Sequence, residues 1–431
     1  NHGHANIDNS SEFYSPSLIS RKLSARFIYS NSWLMLELEP YTINHNNLIK
    51  KEQIGGSLSM NNNHVINIPR KNKLSGLAQS RIVIHYHGFG FGYGKMSHWW
   101  GPGFHSAITL SSNSPSQETF SFGTFKDIKI GNISLGSNII VMPYKSMKND
   151  QLYFSGLKSN LSYLSSSTII TIGFHRTYLS GNFENLDPIT NYKTKWTMID
   201  AAKLVIEPLF GQDKIKLDYT TPGTPGFDTW DQLLSGYINI KFIKENLDIY
   251  LDIASDDNRG NFTDLRAHWD HTLAYLIGMK KFSKHKSYSI FYGLEYLSTK
   301  VSNTFNPIFY RGDPNSLNYY TKQRFDYFSY QGRRMGAHSG PSSDDLILVL
   351  GIAKNTTMLL ISLNEERHGI KSMQFPEIKR EINFSLQNEL SSNHKIFASL
   401  EFEQINNHSF IKNNLSTSNL LWFGYSYTFK N

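Results

Sequence analysis

The segment LLWFGYSYTFKN (residues 420–431) decides the fold, because its apolar side chains recur at every second position. One face of this segment carries Leu421, Phe423, Tyr425, Tyr427 and Phe429, and the other carries Leu420, Trp422, Gly424, Ser426 and Thr428. Alternation with a period of two is typical of a strand that is apolar on one face. The segment therefore predicts a β-strand.

The same alternation recurs in SYSIFYGLEYLSTK (287–300), NLDIYLDIASDD (246–257) and REINFSLQNEL (380–390). The strands of a soluble sandwich would also alternate, but they are shorter, at about five or six residues. A tilted strand needs about 9–11 residues to cross a bilayer, and Tyr and Phe lie near the ends of these segments, where interfacial girdles form. In lipid every backbone polar group must be paired. We therefore expect an all-β fold, a closed antiparallel transmembrane β-barrel.

Composition narrows the function classes. The 431 residues include no cysteine, which excludes thiolate zinc sites, cysteine nucleophiles and disulfides. No run of about 18 apolar residues occurs, so a transmembrane helix is not expected. Residues 1–431 are interpreted as a single barrel domain. The net charge of +8 suggests acidic partners, such as anionic polysaccharide, lipopolysaccharide phosphates or nucleic acid. A genome composition that favours Lys, Asn and Ile would explain the charge equally well.

The first residues bear on the location of the protein. The chain opens with NHGHANIDNS, without an initiator Met or an apolar signal-peptide core. We therefore expect a mature chain from which the signal peptide is absent. Together with the barrel pattern, this predicts the outer membrane of a Gram-negative bacterium.

One segment breaks the alternation. Helical spacing at Met198, Ala202, Val205 and Leu209 predicts a helix near residues 187–210, with Asp187 as the N-cap, packed on or in the barrel. Between the strands lie polar segments, HNNLIKKEQIGGSLSMNNNH (45–64), NTFNPIFYRGDPNSLNYYTKQRFDY (303–327) and SYQGRRMGAHSGPSSDD (329–345). These are predicted to be long extracellular loops.

A glycine-rich segment, HGFGFGYGK (87–95), invites comparison with nucleotide-binding loops. Its glycines recur at every second residue, and no helix signal follows, so the dinucleotide fingerprint is not met. We expect a strand with one glycine face that lines the lumen, and a bulge near His87 or Gly88 that exchanges the two faces.

The sequence gives little support for a metal site or a catalytic site. The histidine pairs His2/His4, His85/His87 and His268/His271 lack a placed third ligand, so no metal site is predicted. Asp248 and Asp252 share one strand face, and a glycosidase carboxylate pair is left open there. No Gly-x-Ser-x-Gly elbow occurs. The chain is predicted to be neither an enzyme nor the carrier of a cofactor.

Two basic-aromatic segments, FDYFSYQGRRMGAH (325–338) and GFHRTYLSG (173–181), are candidates for polysaccharide binding. Aromatic faces stack on sugar rings and Arg pairs with carboxylates. The candidate binding residues are Tyr327, Tyr330, Arg333, Arg334, His338 and Arg176. The alternative is an aromatic girdle with inner-wall arginines in salt bridges to Glu295, Asp248 or Asp252.

A tryptophan pair precedes a glycine-proline-glycine turn in WWGPG, which comprises Trp99, Trp100, Gly101, Pro102 and Gly103. Neighbouring residues of a strand face opposite ways. We therefore expect one tryptophan at the lipid interface and the other towards the lumen or the helix, and we do not expect a plug of the core.

At this point the chain resembles the Wzi capsule-assembly family. The resemblance rests on WWGPGFHSAITLSSNSP (99–115) and on four later segments in the same order. These are ITIGFHRTYLSG (170–181), IYLDIASDDNRG (249–260), YGLEYLST (292–299) and YQGRRMGAHSGPSSDD (330–345). They assign Gly173, Glu295 and Tyr296 to family motifs, and they cover about residues 80–355. TWDQLLSGYINI (229–240) departs from the family pattern.

The resemblance implies a barrel of about 18 strands with a small helical element and no catalysis. It implies a lectin that binds exported capsular polysaccharide and helps to attach or assemble it at the cell surface. Expected partners are that polysaccharide, outer-membrane lipids, lipopolysaccharide and the capsule export machinery, but not nucleic acid. An outer-membrane diffusion channel (porin) is the alternative, and a glycan-modifying enzyme is a third reading.

Overall fold

The chain was analysed as a computed structural model. The residues that the structure describes are 2–3, 8–13, 19–46, 72–146, 148–183, 196–206, 230–256, 273–300, 319–320, 322, 325–371 and 373–429. Parts of the predicted loops at 45–64 and 303–327, together with Asp187 and His268/His271, lie outside these ranges.

The described elements are 24 strands and one α-helix. The strands of the first half are β1 His2–Gly3, β2 Ser20–Ser24, β3 Phe27–Ser30, β4 Leu34–Leu38, β5 Pro40–His45, β6 Lys73–Leu77, β7 Ser80–Tyr86, β8 Phe89–Met96, β9 Gln117–Thr124, β10 Ile128–Ile130, β11 Ile133–Lys145, β12 Gln151–Leu164 and β13 Thr168–Asn182. Helix α1 is Met198–Ile206. The remaining strands are β14 Trp230–Phe242, β15 Leu247–Asp256, β16 Leu273–His285, β17 Tyr288–Ser298, β18 Ser329–Tyr330, β19 Arg333–Arg334, β20 Asp344–Lys354, β21 Thr357–His368, β22 Glu377–Glu389, β23 His394–Asn406 and β24 Leu415–Tyr427.

One antiparallel sheet of 19 strands dominates the fold. Strand β9 pairs with β11, and from there β11 to β17 pair in sequence order. Strand β17 then pairs with β20, and β20 to β24 continue in order. On the other side of β9 follow β8, β7, β4 and β3. The predicted all-β antiparallel class is therefore confirmed.

The two faces of the sheet differ as the alternation predicts. In β24 the side chains of Leu421, Phe423 and Tyr425 are exposed, whereas Leu420, directly before them, is buried. The long strands from β11 onwards have 10 to 15 residues, and most carry exposed Leu, Ile, Phe or Tyr at every second position. We call this apolar exposed side the outer face and the opposite side the inner face. Among the described residues, no helix has the length and apolar character needed to cross a membrane.

The two ends of the sheet also differ. At one end the connections are short, at residues 87–88, 165–167, 243–246, 286–287, 355–356 and 390–393. At the other end most are longer and include residues 97–116, 183–229, 257–272 and 299–343. We call these the short-turn end and the long-connection end. This asymmetry is the one that outer-membrane barrels show.

The glycine-rich segment forms a hairpin, and the predicted bulge is wrong. Tyr86 pairs directly with Phe89, and His87 and Gly88 between them both have positive φ, at 49° and 86°. Two left-handed central residues make a two-residue hairpin turn. The turn keeps Tyr86 and Phe89 on the outer face, so no bulge is needed. Gly90 and Gly92 are buried on the inner face, as expected.

Helix α1 lies inside the predicted range but begins later than predicted. Thr197 donates its hydroxyl to the carboxylate of Asp200 at 2.6 Å, and the Asp200 N–H donates to the Thr197 hydroxyl at 3.2 Å. This reciprocal pair caps the helix N-terminus. Leu204 and Val205 pack with Leu157 and Tyr178. Leu157 and Tyr178 have the same parity as the exposed residues of their strands, so α1 packs on the outer face.

The inner face of β11 to β17 carries an apolar core that the sequence did not predict. Two chain segments fill it, residues 97–116, which we call the plug loop, and residues 325–343, which we call the cap segment. Trp100, Ile108 and Leu110 of the plug loop join Phe325 and Met335 of the cap segment in one buried cluster. For Trp100 the expectation that the tryptophan pair would not plug a core is therefore wrong, because its ring lies in this buried cluster.

Candidate functional site

The plug loop and the cap segment are bonded to each other along their backbones. The Ser111 N–H donates to the Met335 carbonyl at 2.7 Å, and the Ser111 hydroxyl donates to the Gly336 carbonyl at 2.5 Å. The Trp100 N–H donates to the Leu110 carbonyl at 2.8 Å, which folds the plug loop back on itself. Each of these buried bonds satisfies groups that would otherwise lack water. The two segments therefore form one unit.

Glu295 anchors the plug loop to the sheet. Its carboxylate on the inner face of β17 accepts the N–H groups of Phe104 at 2.7 Å and Ser106 at 2.6 Å. The His105 N–H lies 3.3 Å from the same carboxylate, and the Tyr250 hydroxyl donates to it at 2.6 Å. A carboxylate that accepts several N–H bonds is held strongly. The family motif thus contributes an anchor for the loop.

The WWGPG residues shape the start of the plug loop. Trp100 is buried beside Gly156 of β12, where a Cβ atom would lie 2.8 Å from the indole ring. The half-buried Trp99 donates its indole N–H to the Gly103 carbonyl at 2.9 Å, which closes the turn through Pro102. Gly101 has a φ of +134°. Neither indole matches the predicted lipid-interface position, because both belong to a loop on the inner side.

Arg333 and Arg334 lie inside the protein, with 1% and 0% of their surface exposed. Arg334 donates to the carbonyls of Tyr320, at 2.9 Å, and Tyr327. Arg333 donates to the Ser11 carbonyl and to the Ser10 hydroxyl, at 3.0 Å. These contacts hold the cap segment and the N-terminal segment in place. These contacts of the two guanidinium groups differ from the alternative salt bridges to Glu295, Asp248 or Asp252.

His338 is fully buried and meets two residues that the sequence reasoning did not single out, His105 and Asp345. The Nε2 atoms of His105 and His338 each lie 3.3 Å from Oδ2 of Asp345. Burial lowers the pKa of His105, but the adjacent Asp345 carboxylate outweighs burial and raises this pKa to about 9. Without another cation, His105 therefore carries a proton that balances Asp345.

The remaining candidate binding residues lie in different surroundings. Tyr330 is half-buried at the edge of the core, and its hydroxyl accepts from the exposed Gln331 at 3.1 Å. Tyr327 is buried. Arg176 lies on the outer face of β13, over the Tyr178 ring at 5.2 Å and 3.4 Å from the Gln232 side-chain oxygen. The structure therefore does not bring Arg176 together with the cap segment.

Two further family-motif residues have structural surroundings. Gly173 lies on the inner face, where a Cβ atom would collide with the ring of Tyr237. Tyr296 is on the outer face, with its ring centroid 6.0 Å from that of Tyr275. The glycine makes room on the inner face, and the tyrosine pair contributes to the outer aromatic surface.

The inner face of β21 to β23 carries a group of charged residues near the long-connection end. The Lys379 ammonium contacts Asp8 and lies 2.9 Å from Glu366, 3.5 Å from Glu403 and 3.7 Å from Glu381. Next to this group, His368 lies 3.0 Å from Glu366 and 3.3 Å from Glu377. In most of these contacts both partners are buried. A buried charge is unfavourable without a partner of opposite charge, so the cations and carboxylates of this group stabilise each other.

A small cavity lies at the edge of the apolar core, lined by Thr177, Leu179, Asp231, Gln232, Leu233, Asp256, Tyr320 and Phe328. Its volume of about 10 Å³ is close to the space of one water molecule. A sugar ring does not fit into it.

Most of these assignments lack a sequence signal. His105, His338 and Asp345 are far apart along the chain, so no short motif with the spacing of metal ligands contains all three. Glu295 was found through the family motif, but not its role as an anchor. A chemical signal exists for Lys379, since it is one Lys among inward carboxylates at alternate positions of β21 to β23.

Comparisons with known proteins agree with this architecture. The family model described as capsule assembly protein Wzi matches residues 5–181, which include the whole plug loop. The solved structure of Wzi from Escherichia coli has a TM-score of 0.57. That protein is described as an outer membrane protein involved in group 1 capsule assembly and as a carbohydrate-binding β-barrel. The alignment covers 97% of this chain and 82% of that chain at 10% identity. Among curated proteins, none matches the sequence.

Two further solved structures are similar at a lower level. OccAB2 of Acinetobacter baumannii has a TM-score of 0.42 at 10% identity, with 94% of this chain and 92% of that chain covered. OprB of Pseudomonas putida has a TM-score of 0.42 at 8% identity, with 99% and 90% covered. The match of the Wzi family model over residues 5–181 and the fold of the Wzi structure confirm the resemblance that the WWGPG motif predicts.

Proposed function

We propose that this protein is a non-enzymatic outer-membrane lectin that binds exported capsular polysaccharide and helps to attach it at the cell surface. In this proposal the sheet closes into a barrel through β3 and β24, and their neighbouring places in the strand order support this. Closure removes both edges and satisfies the backbone within lipid. The apolar outer face would then contact the outer membrane.

The observation that carries this proposal is the plug loop. It lies within residues 5–181, the range that matches capsule assembly protein Wzi, and it fills the inner face together with the cap segment. Bulky buried side chains across β11 to β17 fill this half of the interior, so that it offers no path for solutes in this proposal. A scaffold that holds loops rigidly at one end suits binding better than transport.

The long-connection end supports an acidic ligand. Lys300 and Arg367 lie 3.9 Å and 2.5 Å from the same carboxylate, that of Asp344, so two cations and one anion leave one net positive charge. Tyr330 and Gln331 of the cap segment lie at the same end, and an aromatic ring beside an amide suits a sugar. In this proposal Tyr330 contacts the polysaccharide, and the buried Tyr327, Arg333, Arg334 and His338 position the cap segment. Arg176 is a second, separate contact on the outer face.

Binding to the producer's own purified capsule tests the proposal. Tyr330→Ala and Arg176→Gln are expected to weaken binding, each by about tenfold, since one aromatic or charged contact contributes about 1–2 kcal/mol. Arg380→Gln is the matched control, because Arg380 also lies on the outer face and pairs with Glu365 at 2.8 Å. If the unaltered protein binds no capsule and its deletion leaves capsule firmly attached to cells, the lectin assignment is wrong.

Electrical conductance separates the lectin from a diffusion channel. Reconstituted in a planar bilayer, the plugged protein is expected to conduct poorly, whereas a porin conducts steadily. Stable, large single-channel currents from the unaltered protein would favour the channel. Lipids and lipopolysaccharide at the outer face, and the capsule export machinery near the long-connection end, are the partners that the proposal includes.

A further inference from the structure

We propose that His105, His338 and Asp345 bind one divalent zinc ion that fastens the plug loop and the cap segment to strand β20. The three residues come from three parts of the chain, and their ligand atoms all lie within 4.8 Å of one another. Two imidazole nitrogens and one carboxylate oxygen are ligands that zinc accepts. The proposal concerns the interior of the plug and does not depend on the polysaccharide.

The distances agree with tetrahedral coordination. Zinc bonds of about 2.0–2.1 Å at tetrahedral angles place neighbouring ligand atoms about 3.3–3.4 Å apart. Oδ2 of Asp345 lies 3.3 Å from Nε2 of His105 and 3.3 Å from Nε2 of His338. Both nitrogens therefore already stand at coordination distance from the shared oxygen. Small rotations of the two rings would bring the nitrogens to the same spacing from each other.

The orientation of the His338 ring supports an ion rather than a proton at this point. Its Nε2 is buried and has no hydrogen-bond partner of acceptable geometry among the described residues, although Oδ2 of Asp345 is only 3.3 Å away. A nitrogen that donates a proton points straight at its acceptor. A nitrogen that coordinates a tetrahedral ion points about 35° away from its neighbouring ligand atom, since the ion lies off the line between them.

The surrounding residues suit zinc ligands. Nδ1 of His338 lies 3.1 Å from the amide nitrogen of Asn9 and 3.4 Å from the Ser106 hydroxyl, which donates to Oδ2 of Asp345 at 3.1 Å. When Nε2 binds the ion, Nδ1 carries the proton, and the acceptor is the Ser106 hydroxyl or the Asn9 amide oxygen after the amide group turns over. Oδ1 of Asp345 accepts the Asn364 amide at 2.6 Å, which fixes the carboxylate.

The charge of the site also fits a divalent cation. Asp345 is buried and supplies the one carboxylate among the three ligands. The carboxylate of Glu366 lies 3.7 Å from Nε2 of His338 and adds negative charge near the ion, while it also pairs with Lys379 at 2.9 Å and with His368 at 3.0 Å. By contrast, the carboxylates of Asp8, Glu381 and Glu403 also lie within 4.8 Å of one another, but the Lys379 ammonium contacts each of them. That cluster already contains its cation.

Metal analysis of the full chain, folded in detergent micelles and dialysed against zinc chloride, tests the proposal. The unaltered protein is expected to retain one zinc ion per chain and to unfold at a higher temperature than after treatment with EDTA. His338→Gln and Asp345→Asn are expected to lose the ion and the temperature shift. Cobalt(II) in place of zinc is expected to give the intense visible absorption of a tetrahedral site, which needs no variant.

Two variants that preserve the fold sharpen the test. Ser106→Ala removes only the supporting hydroxyl and is expected to weaken zinc binding about 10- to 100-fold. His98→Gln is the matched control, a plug-loop histidine whose Nε2 lies 3.0 Å from the Thr119 hydroxyl, and it is expected to retain the ion. Less than stoichiometric zinc with no thermal shift, or cobalt absorption typical of an octahedral site, would overturn the proposal. The contacts would then be those of a protonated His105 with Asp345.

Discussion

Different interactions stabilise the two halves of the inner face. Across β11 to β17 the inner face carries the apolar cluster that includes Trp100. Across β21 to β23 it carries a buried charged group, in which Lys379 lies among four carboxylates. Apolar contacts tolerate small displacements, whereas buried ions require each partner at a defined distance. The apolar half thus provides bulk stability, and the charged half fixes the position of the N-terminal segment through Asp8.

The largest effect is expected from removing the cation of the charged half. Lys379→Met keeps the length of the side chain but leaves the surrounding carboxylates without their shared cation. We expect a loss of about 5 kcal/mol in the free energy of unfolding at neutral pH, measured by urea titration in lipid vesicles. The loss should shrink towards pH 4, as carboxylates take up protons.

Lys395→Met is the control for this change, since Lys395 pairs with Glu389 near the short-turn end with both side chains half-exposed. An equal loss for both lysines, or a loss that does not change with pH, would contradict the distinction between the halves.

A slightly smaller effect is expected in the apolar half. Trp100→Ala removes the indole ring beside Gly156 and leaves a cavity, which costs about 4 kcal/mol in the free energy of unfolding. This loss should vary less with pH than that of Lys379→Met, because the indole carries no charge and the one ionisable ring beside it is that of His175, at 5.4 Å between ring centroids. Trp33→Ala, at an exposed tryptophan, is the control. A loss that depends on pH as strongly as that of Lys379→Met would contradict the distinction between the halves.

An intermediate effect is expected at Glu295, which connects the plug loop to the sheet. Glu295→Gln replaces one acceptor oxygen by a donor that faces backbone N–H groups. We expect a loss of about 1–3 kcal/mol and faster amide hydrogen exchange at Phe104 and Ser106. Unchanged exchange at these two positions would mean that the carboxylate does not hold the loop. Glu365→Gln serves as the outer-face control.

The smallest effect is expected on the outer face. Arg380→Gln breaks an ion pair with Glu365 in which both side chains are about half-exposed. Such pairs contribute about 0–1 kcal/mol, so the urea midpoint should hardly move. A loss comparable to that of Lys379→Met would show that burial is not what distinguishes the two ion-pair groups.

The sequence predicted the strands well, because alternation reports directly which face of a strand is apolar. The segments at 246–257, 287–300, 380–390 and 420–431 all contain strands of the sheet. Helix α1 was predicted in the right place, but the cap pair of Thr197 and Asp200 was missed. The hairpin at His87 and Gly88 was read as a bulge, since both devices change which parity faces outward.

The interior was predicted poorly, because period-two patterns say nothing about loops that fold back inside a sheet. Arg333 and Arg334 look like surface residues in the sequence, yet backbone carbonyls of distant segments surround them. The proximity of His105 to His338 depends on the path of the plug loop. Such contacts follow from the tertiary structure, and local sequence contains no signal for them.

The bonds of Glu295 to the plug loop have a consequence for how the molecule is assembled. The loop precedes its anchor by about 190 residues, with Phe104 and Glu295 separated by 191 positions. Closing such long chain segments is slow, because the entropy of the intervening chain opposes it. The plug loop therefore cannot adopt its final position until β17 has formed. The N-terminal segment is expected to be placed later still, because its contact between Asn9 and His338 joins residues 329 positions apart. Insertion into a membrane and filling of the interior are thus expected to be separate kinetic steps, the second completed only when the C-terminal strands are in place.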